Sequence, residues 1–246
     1  MPIAPSDLQF WSSASIPTDD TSPSGGAIST TKRPALDPFS AAAQVALVSD
    51  GADTRSVTVV GRNAAGAIIS EVKALNGATE VLTTASFRDV HSVTLDATSA
   101  TRTVTVRQSS GGTIRATIPP NEDGRHSMFQ RSASESGAVD RYEKEFARNA
   151  HGSLTLNDAK IKLTSDPASK ITVGCATAVN DSGTVANRKT APAGVTFVDD
   201  NVSQSVPGGA LAAGDRIGIW VKQSLGAAAG AFRDTFTIEL SGTTMP

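Results

Sequence analysis

Three histidines and one cysteine are the first residues to question for chemistry, because imidazole and thiolate bind metals and move protons near neutral pH. His91, His126 and His151 lie far apart in the chain, and none neighbours the cysteine. That spacing predicts no zinc site; His91 reads as a strand end and His126 as part of an arm. Cys175 is the only cysteine, so no intramolecular disulfide is possible. It closes the run Ile171-Thr172-Val173-Gly174-Cys175 and reads as a small buried apolar residue of a strand. The acidic pairs Asp19-Asp20, Glu122-Asp123 and Asp199-Asp200 sit in turn-rich sequence, without calcium-loop spacing, and read as solvated loops. Ser-x-x-Lys occurs from Ser29 to Lys32 and from Ser70 to Lys73, with no companion serine-hydrolase signature. No G-x-S-x-G, Walker loop or G-x-G-x-x-G is present. The expectation is a protein with no catalytic residue, no metal site and no cofactor: not an enzyme.

The residues that invite attention instead are apolar ones in unusual settings. Trp220 lies in Ile217-Gly218-Ile219-Trp220-Val221, where alternation puts it on the face opposite Ile217, Ile219 and Val221. Either that strand is buried on both faces, or Trp220 meets another chain as an interface anchor. Residues 1–40 and 108–140 are rich in Gly, Pro and Ser but carry isolated apolar side chains: Phe10 and Trp11 in the first, Ile118, Met128 and Phe129 in the second. These segments have little apolar surface to offset the entropy of ordering them. Phe10, Trp11, Ile118, Met128, Phe129 and Trp220 are therefore the candidate contacts with other subunits, the alternative being that both segments fold back on their own chain.

Composition sets the frame that must hold these residues. Of 246 residues, 39% are hydrophobic and 19% charged, as in globular proteins, but aromatics are only 4%. The cores must be built from Val, Ile, Leu and Ala. A formal net charge of −2 with no basic stripe argues against nucleic acid as a partner. The start of the chain lacks the basic and apolar regions of a secretory leader, and no apolar run reaches membrane-span length. No membrane partner is expected, and synthesis in the cytoplasm is.

Period-two alternation recurs along most of the chain and predicts strands. Val45 and Leu47, Val57 and Val59, then Ile68, Ser70, Val72 and Ala74 outline hairpins around Asn63-Ala64-Ala65-Gly66 and Asn76-Gly77. A second series runs through Leu154 and Leu156, Ile161 and Leu163, Ile171 and Val173, Ile217 to Val221, and Phe232 to Leu240. Arg141 to Arg148 is the one helix-like stretch, and its charge pattern fits an exposed strand equally well. The fold class expected is all-β: two β-sandwich units, Ig-like or jelly-roll-like, with extended N-terminal and linker arms. The expected boundaries are an N-terminal strand and arm over 1–42 packing on the C-terminal unit, a small Ig-like domain over 43–107, a linker over 108–140 and a C-terminal sandwich over 141–246.

The stretch Val57-Thr58-Val59-Val60-Gly61, Ala65-Gly66, Leu75-Asn76-Gly77-Ala78-Thr79-Glu80-Val81, Phe87 and Ser92-Val93 resembles a small β domain that recurs in tailed-bacteriophage virion proteins. The flanks resemble a phage structural family: Gly25-Gly26-Ala27-Ile28-Ser29, Arg141-Tyr142-Glu143-Lys144-Glu145-Phe146, Ala191-Pro192-Ala193-Gly194-Val195, and Pro207-Gly208-Gly209 to Ile219-Trp220. The resemblance implies a minor virion protein in several copies, at the head–tail neck or collar, in the tail, or as a capsid decoration or turret. It implies as partners copies of the chain itself and other virion proteins (portal or neck, tail, or major capsid). It supplies no catalytic residue. A receptor- or carbohydrate-binding module is the reading from another class; such a module stacks exposed aromatics on sugars, and this chain has one Tyr and two Trp.

Overall fold

A computed structural model describes residues 2–130, 136–229 and 235–244. The chain is all-β. Its strands in chain order are β1 (Leu8–Ser15), β2 (Ser24–Ile28), β3 (Lys32–Arg33), β4 (Ala43–Ser49), β5 (Ser56–Arg62), β6 (Ile68–Ala74) and β7 (Val81–Phe87). Then come β8 (Asp89–Leu95), β9 (Val104–Gln108), β10 (Ile114–Ile118), β11 (Gly124–His126), β12 (Val139–Asn149) and β13 (Leu156–Ser165). The last are β14 (Ile171–Val179), β15 (Thr184–Val185), β16 (Ser203–Ser205), β17 (Ala210–Leu211), β18 (Arg216–Leu225) and β19 (Thr237–Thr243). Helical structure among the described residues is confined to 3-10 turns at Pro5–Asp7 and Pro207–Gly209. Phe232, expected on the last strand, lies outside the described residues, as do 131–135 of the expected linker.

The chain divides into two compact units, one made of Met1–Ser29 with Phe129–Pro246, the other of Thr30–Met128. The second unit is therefore inserted into the first. It is a sandwich of two sheets, with strand orders β10-β9-β4-β7 and β3-β11-β8-β5-β6. Alternating residues of both sheets meet in one apolar cluster: Val45, Leu47, Phe87, Val104, Val106 and Ile118 from the first, Val57, Val59, Val90, Val93 and Leu95 from the second. Val and Ile suit this pleated, close-packed environment, so the run of period-two segments is self-consistent. Gly61 marks a tight spot in it. A Cβ there would fall 2.1 Å from the Asp89 carbonyl oxygen and 2.8 Å from the Phe87 ring, at the point where the β5–β8 register shifts.

Two boundaries differ from the sequence expectation. Residues 108–128 are not a linker: Ile114–Ile118 pairs with β9, and Gly124–His126 pairs with both β8 and β3. The turn chemistry of Ser109 to Gly112 is a hairpin, closed by the Gln108 N–H donating to the Thr113 carbonyl at 2.9 Å. Residues 30–42 likewise belong to the inserted unit, because Leu36 and Phe39 join its core and Asp37 N–H bonds the Arg115 carbonyl.

The other unit is built on a six-stranded sheet of order β14-β18-β12-β1-β2-β15, with a second sheet centred on β13, which pairs β16 and β17 on one side and β19 on the other. The N-terminal strand β1 is integral to it: Leu8 to Ser12 pair in register with Asn149 to Glu145 of β12. β12 runs between β1 and β18, and both of its faces are buried from Arg141 to Ala147. The helix-like stretch is thus a central strand, and its charges point inward.

Candidate functional site

Alternation sorts the β12 charges onto two faces. Arg141, Glu143 and Glu145 share one, while Tyr142, Lys144 and Phe146 share the other. Charged side chains pointing into covered faces need partners, since an unpaired buried charge is strongly unfavourable. On the first face the partners of Arg141 and Glu143 come from the loops at Asp20 and Arg188 and from the backbone at Phe129 and Gln130. The Asp20 carboxylate accepts Arg141 Nε at 2.7 Å and Nη2 at 2.8 Å, and also the Arg188 guanidinium. Arg188 Nη1 donates to the Gln130 carbonyl at 2.6 Å and to Glu143 at 3.2 Å, and Glu143 also accepts the Phe129 N–H. Lys189 Nζ stands 3.3 Å from Asp20. Both Arg141 and Arg188 are fully buried.

The electrostatics follow from this packing. Burial works to raise the Asp20 carboxyl, but the hydrogen bonds and charges of Arg141 and Arg188 overcome it and hold the group well below its ordinary range. At Glu143 burial prevails over Arg188 and pushes the carboxyl up to about 7. Glu145 is 6% exposed, and burial raises it to about 8.

On the opposite face Lys144 is wholly covered. Its ammonium contacts the Asp181 carboxylate and the Gly183 and Gly26 carbonyls, and lies 4.8 Å from the Phe146 ring and 5.4 Å from the Trp220 ring. The strand β2 makes this cover possible. Gly25 has φ +100°, and a Cβ there would sit 2.6 Å from the Gly183 carbonyl oxygen and 2.9 Å from Trp220. Trp220 is 3% exposed, so the strand around it is buried on both faces within its own unit.

Three other interface candidates, Ile118, Trp11 and Phe129, are likewise buried within the chain. Ile118 is 0% exposed in the inserted unit's core; Trp11 at 6% faces Phe146 across the β1–β12 ladder, and Phe129 at 7% is buried too. Phe10 and Met128 are partly buried. The described parts of the arms that carry Trp11, Ile118 and Phe129 fold on their own chain, because sheet pairing and core apolar contacts, invisible in an isolated segment, offset their ordering entropy.

His151 Nδ1 accepts the N–H groups of Ser153 and Leu154, forming a turn. His126 is buried, which lowers its imidazole to about 4. Cys175 borders a shallow depression of about 280 Å³ lined by Thr177, Gly194, Thr196 and Gln204, and burial pushes its thiol up to about 11. Of the acidic pairs, only Asp199-Asp200 is a solvated loop. Asp19 caps its own turn by accepting Thr21 and Ser22, and Glu122 is buried between Arg33 and Arg125. Ser70 and Lys73 lie on opposite faces of β6. Among the described residues no group of three or more His, Cys, Asp or Glu is placed to hold a metal ion. Sequence reading missed Arg188 entirely, for it sits in a polar loop with no periodic signal; the alternating Arg141–Arg148 run carried the only clue to the cluster.

No family model, no curated protein and no solved structure matches this chain.

Proposed function

We propose that the chain is a structural component of a tailed-bacteriophage virion, assembling with copies of itself and with other virion proteins at the head–tail neck or collar, or in the tail. The observation that carries the reading is the way the resembling segments distribute over the fold. Gly25 to Ser29, Arg141 to Phe146, Ala191 to Val195 and Pro207 to Trp220 all fall in one unit. The segments resembling the recurrent virion β domain, Val57 to Val93, fall in the other, which is inserted at a single point of the first. An insertion of this kind decorates a scaffold without disturbing its core. Asp20, Arg141, Glu143, Lys144 and Arg188 bind one another, Asp181 or the backbone, which suits a scaffold.

The test is particle composition. Phage particles carrying an epitope-tagged chain should retain the tag through density-gradient purification, in a fixed ratio to portal protein, and label at the neck or tail. Labelling over the head surface instead would favour a capsid decoration. Absence of the chain from purified particles would overturn the reading.

A further inference from the structure

Strand β6 is an edge. Among the described residues its only ladder partner is β5. The hairpin settles which backbone groups it leaves open. Asn63 N–H donates to the Ala67 carbonyl at 3.0 Å and Leu75 N–H to the Arg55 carbonyl at 3.0 Å. Antiparallel ladders alternate hydrogen-bonded and non-bonded pairs, so Ile69, Glu71 and Lys73 bond β5. Ile68, Ser70, Val72 and Ala74 then direct their N–H and C=O groups to the open side. The same four residues are exposed, and Ile68 at 40% and Val72 at 60% are two of the chain's exposed large apolar side chains.

The neighbouring edge strand is treated differently. On β7, the N–H groups of Thr84 and Ala85 are capped by the Glu71 carboxylate at 2.7 and 2.9 Å, and Lys73 bonds the Thr84 hydroxyl at 3.2 Å. One edge is blunted by side chains, the usual protection against unwanted pairing, while β6 has neither a Pro nor a charge on its outward face.

We propose that β6 pairs antiparallel with β6 of a second copy, about a two-fold axis through Val72. This rests on the self-assembly proposed above and names the contact. With the axis at Val72, Val72 faces the partner's Val72 and Ser70 faces the partner's Ala74. All of these are positions with open backbone groups, and the pairing forms about six new hydrogen bonds. Glu71 comes opposite the partner's Lys73 and Lys73 opposite the partner's Glu71, so the strand is complementary to itself. An axis at Glu71 or Lys73 would oppose like charges, and one at Ser70 would set both charges against apolar residues. A symmetric pairing of this type consumes both edges and closes.

The test uses the full chain with Cys175→Ala. Val72→Cys should give a disulfide-linked dimer on mild oxidation. Ser70→Cys alone should not, and Ser70→Cys with Ala74→Cys should. In sedimentation, Val72→Lys should weaken dimerisation about 100-fold by placing two ammonium groups on the axis. Ser70→Pro should also weaken it while preserving the β5 ladder, because the Ser70 N–H faces outward; circular dichroism checks the fold of each variant. A monomeric wild-type chain, or folded variants with unchanged oligomeric mass, would overturn the pairing. Variants that enter particles with unchanged oligomeric mass would overturn it while leaving the virion reading intact. Cross-linking at Val72 in a chain absent from particles would do the reverse.

Discussion

The two units solve the same problem with different materials. The inserted unit fills the space between its sheets with Val, Leu, Ile and Phe, and β5, β6 and β9 alternate without a break. The other unit runs Arg141, Glu143, Lys144 and Glu145 through the middle of its six-stranded sheet and covers them on both faces. An apolar core tolerates change in proportion to the volume lost. A buried charge network responds to the loss of single partners, because each stranded charge retains its full desolvation penalty. The second design gives little net stability, yet it binds the loop at Asp20, the segment at Gln130 and the loop at Arg188 to one strand, which apolar contacts specify less sharply.

The largest expected effect that sharpens this contrast is Phe87→Ala. Phe87 is fully buried, and its truncation should cost about 3–5 kcal/mol in denaturant unfolding. The loss should be nearly the same at about pH 5 and pH 9, because Phe87 packs in a cluster of apolar side chains. The other unit should behave otherwise. Glu145 is held near 8 against an ordinary 4.5, so between those values the folded protein keeps a proton that the unfolded chain has released. On this group's account stability is greatest below pH 4.5 and falls as pH rises toward 8. Glu145→Gln should therefore stabilise the protein at high pH by about 2 kcal/mol and flatten that slope, measured by thermal unfolding across pH.

A smaller effect is expected at Glu71, back in the inserted unit. Burial works to raise its carboxyl, but the Ala85 and Thr84 N–H groups and Lys73 hold it down at about 2, against an ordinary 4.5. Its stabilisation is present above 4.5 and lost as pH falls toward 2. Glu71→Gln should cost about 1 kcal/mol at neutral pH, and the two proteins should converge in acid.

Legibility in the sequence follows the same division. Strands whose inward residues are apolar, such as Ser56–Arg62 and Val104–Gln108, show plainly as alternation. The cluster does not, because a charged residue in a sequence reads as solvated until its partners are placed. Asp20 and Arg188 are 168 positions apart, a pairing that only the folded topology reveals. The arms were misread for a related reason. Short segments such as Ile114–Ile118 have too little apolar surface alone, and their burial depends on strands distant in the chain. Trp220 left two readings open, and the choice rested on Gly25, whose missing side chain lets β2 close over the ring.

The claim that the buried charges of β12 are scaffolding, and not a site kept for chemistry, is tested most directly by a double-mutant cycle on Asp20 and Arg188. Asp20→Ala, Arg188→Ala and the pair, measured by equilibrium unfolding of the full chain, should each be destabilised. The coupling between them should exceed about 1.5 kcal/mol. A coupling within about 0.5 kcal/mol, as for an exposed surface pair, or single variants more stable than the parent, as when a functional site is removed, would contradict it.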